Sequence, residues 1–554
     1  MDRIKPLLEQ GFYDDMEIKN IKEFEKASKK LQKDTLKIAL ALLFLIGTAL
    51  FALIFGQANS KGLLLIFAAV IGGYMAMNIG ANDVSNNVGP AVGSKAISMG
   101  GAILIAGICE MLGAIIAGGE VVSTIKGRIV SPESINDAHV FINVMLASLL
   151  SGALWLHVAT LIGAPVSTSH SVVGGIMGAG MAAAGMSAVN WHFLSGIVAS
   201  WVVSPLMGAL IAMFFLMLIK KTIAYKEDKK SAALKVVPYL VALMSLTFSW
   251  YLMIKVLKRL YALNFEIQLA CGCILALLIF ILFKRFVLKK APQLENSHES
   301  INELFNIPLI FAAALLSFAH GANDVANAIG PLAAISQTLE DANSPMGNTL
   351  SSVPLWIMVV GAAGIALGLS LYGPKLIKTV GSEITELDKM QAFCIALSAV
   401  ITVLLASQLG LPVSSTHIVV GAVFGVGFLR ERLREQSRRR FARTRDNIVA
   451  AHFGEDLEEI EGFLERFDKA NLKEKSLMLE SLKKSKNTAI ALELKKKEKK
   501  SLKKVYKEEV IKRSILKKIV TAWLVTVPVS ALLGALLFVA LGFIDKVFLG
   551  FLKA

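Results

Sequence analysis

Cysteine is scarce: the chain has four in 554 residues, and Cys109, Cys271, Cys273 and Cys394 all fall in apolar segments. Membrane helices tolerate Cys as a small apolar residue. The Cys271-x-Cys273 spacing points its two side chains in different directions on a helix. A disulfide framework and a thiolate metal site are therefore excluded. Charge is also sparse, at 18% of residues against 55% hydrophobic, too apolar for a soluble chain of this length. The apolar runs lack the period-two alternation that a β-barrel requires. No cleavable signal peptide is expected, because the first 37 residues are charged and mixed in sign with no early apolar core and small-residue cleavage site. Acidic residues are the minority charge, 42 against 58 Lys and Arg. The basic excess gathers beside apolar runs, above all in residues 430–515, as cytoplasmic loops of membrane proteins do. That placement argues against a nucleic-acid partner and leaves membrane lipids as the surroundings.

What the chain has instead is a series of apolar runs of about 20 residues, each long enough to cross hydrocarbon as a helix. They predict an all-α polytopic membrane protein with about thirteen spans if every such segment crosses fully. Residues 1–37 read as a cytoplasmic arm whose lysines lead into an additional helix at 38–56, placing the N-terminus inside. A first unit follows at 62–219, two connecting helices at 220–300, a second unit at 304–429, a charged helical insert at 430–515 and a last span within 516–554. Lys255, Lys258 and Arg259 fall on the outer side in this topology, a local violation of the charge rule. In the insert, Leu457, Ile460, Phe463, Leu464 and Phe467 recur at helical spacing among acidic residues. A helical hairpin or coiled-coil-like arm, a solvated spacer and a lipid-docking segment all fit it.

The division into units rests on an internal duplication. Gly80-Ala81-Asn82-Asp83-Val84-Ser85-Asn86-Asn87-Val88-Gly89-Pro90 returns as Gly321-Ala322-Asn323-Asp324-Val325-Ala326-Asn327-Ala328-Ile329-Gly330-Pro331. Pro165-Val166-Ser167-Thr168-Ser169-His170 returns as Pro412-Val413-Ser414-Ser415-Thr416-His417, each followed by spaced glycines. A span with Trp and Pro closes each unit, Trp201/Pro205 and Trp523/Pro528, and Val121–Ile125 echoes Leu376–Val380. Such repeats determine architecture. Counting spans gives the two copies opposite topology, the inverted repeat common in secondary transporters, with broken helices around a midplane site.

A carboxylate inside a membrane is a functional-site candidate by default. Breaks near Pro90 and Pro331 would expose carbonyls to protein or a cavity. With Asp83 and Asp324 for charge, and Asn82, Asn86, Asn87, Asn323 and Asn327 completing the shell, this is a hard oxygen site for a small cation. Ser167, Thr168, Ser169, Ser414, Ser415 and Thr416 are uncharged donors, and half-helices beginning there would add N–H groups suited to a tetrahedral oxyanion. The plainer reading of one such cluster is that the hydroxyls bond their own backbone, but duplication in register beside a duplicated Asp favours a site. His170 and His417 are proton carriers or caps. Glu110 aligns with Ile365, and binds a proton or cation or pairs structurally.

These motifs resemble the inorganic phosphate transporter family. The resemblance covers roughly 62–219, 304–429 and 515–545 and includes Glu110-Met111-Leu112-Gly113-Ala114 running into Gly119-Glu120-Val121-Val122. It implies a secondary symporter, not an enzyme, that imports inorganic phosphate with Na+ or H+ and carries no cofactor. It implies cation coupling at Asn82, Asp83, Asn323 and Asp324 and phosphate contact at the hydroxyl motifs. A sulfate symporter and an intramembrane aspartyl hydrolase are the alternatives. A multi-pass protein of a bacterial-type inner membrane is expected, with the N-terminus and the insert cytoplasmic and homo-oligomerisation left open.

Overall fold

The structure is a computed structural model that describes residues 5–56, 62–130, 134–135, 137–254, 264–340, 353–379, 381, 387–449 and 513–553, with positions 462, 465, 466 and 478. Every regular element among them is helical. The first half contains α1 (Lys5–Phe55), α2 (Gly62–Asn82), α3 (Val84–Gly93), α4 (Met99–Ala117), α5 (Gly119–Gly127), α6 (Ala138–Ile162), α7 (Thr168–Ala184) and α8 (Trp191–Ile219). A π-helical turn at Lys220–Ala224 leads to α9 (Lys229–Leu252) and α10 (Phe265–Lys290). The second half contains α11 (His298–Leu304), α12 (Asn306–Glu340), α13 (Leu355–Lys378), α14 (Lys389–Gln408), α15 (Ser415–Val449) and α16 (Arg513–Lys553). Eleven helices among the described residues are long and apolar enough to cross a membrane. Large apolar side chains such as Leu63, Phe214, Leu282 and Leu536 point outward, as a lipid-facing surface requires. The Lys255, Lys258 and Arg259 junction and the greater part of the expected hairpin arm at 430–515 lie outside the described residues; within them, α15 continues the helix to Val449.

The Pro-Val-Ser segments are the tips of two helical hairpins. Gly163 ends α6 in the left-handed region at φ 75°, its N–H bonding Thr160 O, and Ser167 then caps α7 by accepting from His170 N. Gly410 repeats the first device at φ 66°, and Ser414 repeats the second by accepting from His417 N. Positive φ favours glycine at both turns. The arms of the first hairpin run antiparallel: Gly152 packs on Val172, and Gly175 on Ser148 and Ser151. Their far ends meet where Val130 pairs with Val189. The chain therefore enters and leaves on one side, with its tip beside Asn82, part-way along the 32-residue run Gly62–Gly93. The hydroxyl motif marks a re-entrant turn rather than a helix that crosses fully.

The acidic motifs differ from the expected breaks. Only Asp83 interrupts the first copy, between α2 and α3, and α12 runs without a break through His320–Pro331. The hairpin tips supply the breaks instead. Gly72 of α2 packs on Ala328 and Leu332 of α12, while Asp83, further along, lies beside His320 and Asp324. The two motif helices thus run antiparallel.

Candidate functional site

Each acidic motif fastens a hairpin tip through its asparagine. Asn82 Nδ2 donates to Thr160 Oγ1 (3.0 Å) and to Ala164 O (3.2 Å). Asn323 Nδ2 donates to Ser407 Oγ (3.0 Å) and Leu411 O (3.2 Å), the aligned pair in the second hairpin. The aspartates then collect the hydroxyls. Thr168 donates to Asp83 Oδ2 (2.6 Å) and Ser415 to Asp324 Oδ2 (3.0 Å). Stitching across the halves joins these into one network. Thr416 of the second hairpin donates to Asp83 Oδ1 (3.0 Å) and accepts from Asn86 Nδ2 (2.8 Å). Asn327 donates to Thr168 (3.2 Å) and Ser169 (3.1 Å) of the first hairpin. All of these side chains but the half-buried Thr160 are buried.

The structure therefore merges what the sequence presents as two sites. Acids and hydroxyls lie in direct contact, because the hairpin tips are driven between the motif helices. Ser167 and Ser414 use their hydroxyl oxygens as helix caps, leaving Thr168, Ser169, Ser415 and Thr416 to face the acids and amides.

Glu110 enters through a residue that sequence reasoning missed. Its Oε2 lies 2.8 Å from His320 Nδ1, its Oε1 accepts from Asn87 Nδ2 (2.9 Å), and His320 Nε2 lies 2.7 Å from Asp324 Oδ2, although that oxygen is off the ring N–H direction. Asp83, His320 and Asp324 each bring a ligand atom within 4.8 Å of the others. The signal for His320 was its position, a titratable residue in an apolar run directly before Gly321. The branch belongs to one half only. The aligned positions of Asn87, Glu110 and His320 are Ala328, Ile365 and Ile79. The backbone matches across the duplication all the same: a Cβ on Gly321 would overlap the Glu110 carbonyl, and one on Gly80 the Ile365 carbonyl.

His170 and His417 sit apart from the carboxylates. Their rings meet edge to face at 4.4 Å, with Trp201 at 3.8 Å beyond the first and Trp523 at 3.8 Å beyond the second.

Within the two acidic motifs the side-chain atoms left over are oxygens. Oδ1 of Asn86, Asn87, Asn323, Asn327 and Asp324 are buried oxygens with no donor. A buried acceptor without a partner is costly. Acceptor oxygens of this kind are matched by a cation and not by an anion.

Residues 79–534 match the phosphate transporter family. The chain belongs to that family. It is 97% identical over 533 residues to a protein of Helicobacter pylori named "Putative phosphate permease", spanning 96% of this chain and all of that one. A permease sequence of the same description from Pyrococcus abyssi is 39% identical, over 66% of this chain and 89% of its own length. Among solved structures, one named "The sodium-dependent phosphate transporter" matches with a TM-score of 0.68 and 32% identity, covering 87% of this chain and 99% of its own. As a member of the phosphate transporter family with eleven candidate spans among the described residues, this is an integral, multi-pass membrane protein with a transport role.

Proposed function

We propose that the protein is a symporter that carries inorganic phosphate together with Na+ by alternating access. The observation that carries this reading is the set of five donorless oxygens around two buried carboxylates. No Lys or Arg stands in either motif pair, and His320 is the one titratable nitrogen in contact with the acids among the described residues, so an incoming cation is needed to neutralise both carboxylates. Carboxylate and amide oxygens suit a hard, weakly held ion. Asp324 and Asn323 offer it their Oδ1 atoms directly, while Asp83 is reached by displacing Thr168 or Thr416. With cations in place, those hydroxyls and the first N–H groups of α7 and α15 are released toward phosphate. The N-termini of two opposed helices form an anion site without a fixed full charge, so the anion leaves when the cations do. The antiparallel motif helices support an inverted duplication whose halves exchange roles. The structural neighbour is named for its sodium dependence, which agrees with this choice of ion.

The test is uptake of labelled phosphate by purified protein in liposomes. Accumulation is expected under an inward Na+ gradient and not under a choline gradient, and excess sulfate is expected to leave it intact. No accumulation with either gradient would remove the proposal. Proton coupling is the second reading, favoured by the Glu110–His320–Asp324 contacts. It predicts accumulation without Na+ under an inward proton gradient.

A further inference from the structure

The two hairpin tips carry aligned residues but are fastened differently. Tip 1 is held by its own motif, since Val166 N donates to Asn82 Oδ1 (3.1 Å). The aligned Asn323 Oδ1 has no partner. Tip 2 is held from behind, since Trp201 Nε1 donates to Pro412 O (3.2 Å). The aligned Trp523 Nε1 is buried and has no partner. A third difference follows the first two. Thr416 donates to Asp83 Oδ1, while its counterpart Ser169 donates to Val413 O (3.1 Å) and Asp324 Oδ1 has no partner. Both tips keep the Nδ2 contacts of their asparagines, and beyond these each has two further anchors, an asparagine Oδ1 in front and a tryptophan Nε1 behind, of which it uses one.

We propose that these anchors are exchangeable latches that set which way the transporter faces. In the opposite-facing state Trp523 Nε1 holds Pro165 O, Asn323 Oδ1 holds Val413 N, Ser169 moves to Asp324, and Trp201 Nε1 and Asn82 Oδ1 let go, while the Nδ2 contacts of both asparagines stay. The exchange conserves the number of hydrogen bonds and uses aligned groups throughout, so the two states lie close in energy, as a transporter that must populate both requires. The ring row couples the two events. Trp201 packs on His170 of hairpin 1 while bonding the tip of hairpin 2, and Trp523 packs on His417 of hairpin 2. His170 and His417 touch between them, so one tryptophan cannot change partner without displacing the other. Trp201 and Trp523 are positioning residues in this scheme.

The inference rests on the alternating-access reading, and its test separates the two. In a background with the four native cysteines replaced, Ala164→Cys and Leu411→Cys report each tip to an impermeant maleimide applied to either face of membrane vesicles. Trp201→Phe and Trp523→Phe keep a ring on each histidine and remove only the N–H. Trp201→Phe is expected to shift the ratio of labelling at the two tips by about two- to tenfold, the worth of one hydrogen bond. Trp523→Phe is expected to shift it by a similar factor the other way, and the double variant to return near the parent ratio. Shifts in the same direction, or none, in a parent that accumulates phosphate would overturn the latch. A parent that accumulates no phosphate but shows opposed shifts would overturn the symport reading and leave the latch standing.

Discussion

His320 and Glu110 show how one residue's environment separates two otherwise matched halves. Where one half places Asn87, Glu110 and His320, the other places Ala328, Ile365 and Ile79 on a matching backbone. A buried polar chain costs desolvation that its contacts only partly return, and breaking it costs more than replacing it whole. Glu110→Ile alone is expected to destabilise the protein by about 3–5 kcal/mol, by leaving His320 Nδ1 and Asn87 Nδ2 without their partner. The triple replacement Asn87→Ala, Glu110→Ile, His320→Ile reproduces the apolar arrangement of the other half. It is expected to fold with stability equal to or above the parent while losing transport. Thermal unfolding in detergent and uptake in liposomes check the two parts. Asp324→Asn removes the carboxylate whose Oδ1 lacks a donor, and is expected to lower Na+-dependent uptake about ten- to a hundredfold, the worth of a contact to a charged group.

Between elements, contact is made through backbone where helices cross. Gly80 meets the Ile365 carbonyl and Gly321 the Glu110 carbonyl, with no room for a Cβ at either. Gly80→Ala and Gly321→Ala are each expected to cost at least about 1–3 kcal/mol, because rigid backbone has to move. Gly542, on α16, has nothing within 4 Å of its Cβ direction. Gly542→Ala is expected to be neutral or to stabilise by up to about 1 kcal/mol through helix propensity. Comparing the melting temperatures of the three variants tests whether crossings, and not glycine content, hold the bundle. The last helices of the two halves are interlocked in the same way. Gly421 and Gly425 of α15 lie on Pro205 and Ala209 of α8, while Gly174 and Gly178 of α7 lie on Val527 and Ala531 of α16. Each half therefore braces the hairpin of the other, which is why a tryptophan of one half can reach the tip of the opposite hairpin.

For the whole molecule, cation binding and folding stability are linked. An ion that binds the folded site and not the unfolded chain stabilises by about 2.7 kcal/mol at a hundred times its Kd. Melting temperature is expected to rise with NaCl relative to choline chloride at equal ionic strength, and not to rise in Asp324→Asn. Phosphate is expected to add a further increase only when Na+ is present, because the hydroxyls are engaged by the carboxylates until cations displace them. A rise with phosphate alone would contradict that order.

Sequence by itself determined the membrane class, the repeated motifs and most of the residues that meet in the candidate site. Apolar run length decides what can span a bilayer, and a repeated carboxylate in such a run has no cheap structural explanation. The motifs also located breaks at residues 165–170 and 412–417, because Gly, Pro and an N-capping Ser act locally through backbone geometry, but not that these breaks are hairpin tips. Tertiary structure alone decided that acids and hydroxyls share one site, since that depends on hairpins inserting between helices more than eighty positions away in the chain. It also decided that Glu110 reaches Asp324 through His320, and that equal residues at Asn82 and Asn323, or at Trp201 and Trp523, hold different partners. Two identical side chains in a duplicated chain have identical propensities; which of them is bonded is a property of the conformation the whole molecule has adopted.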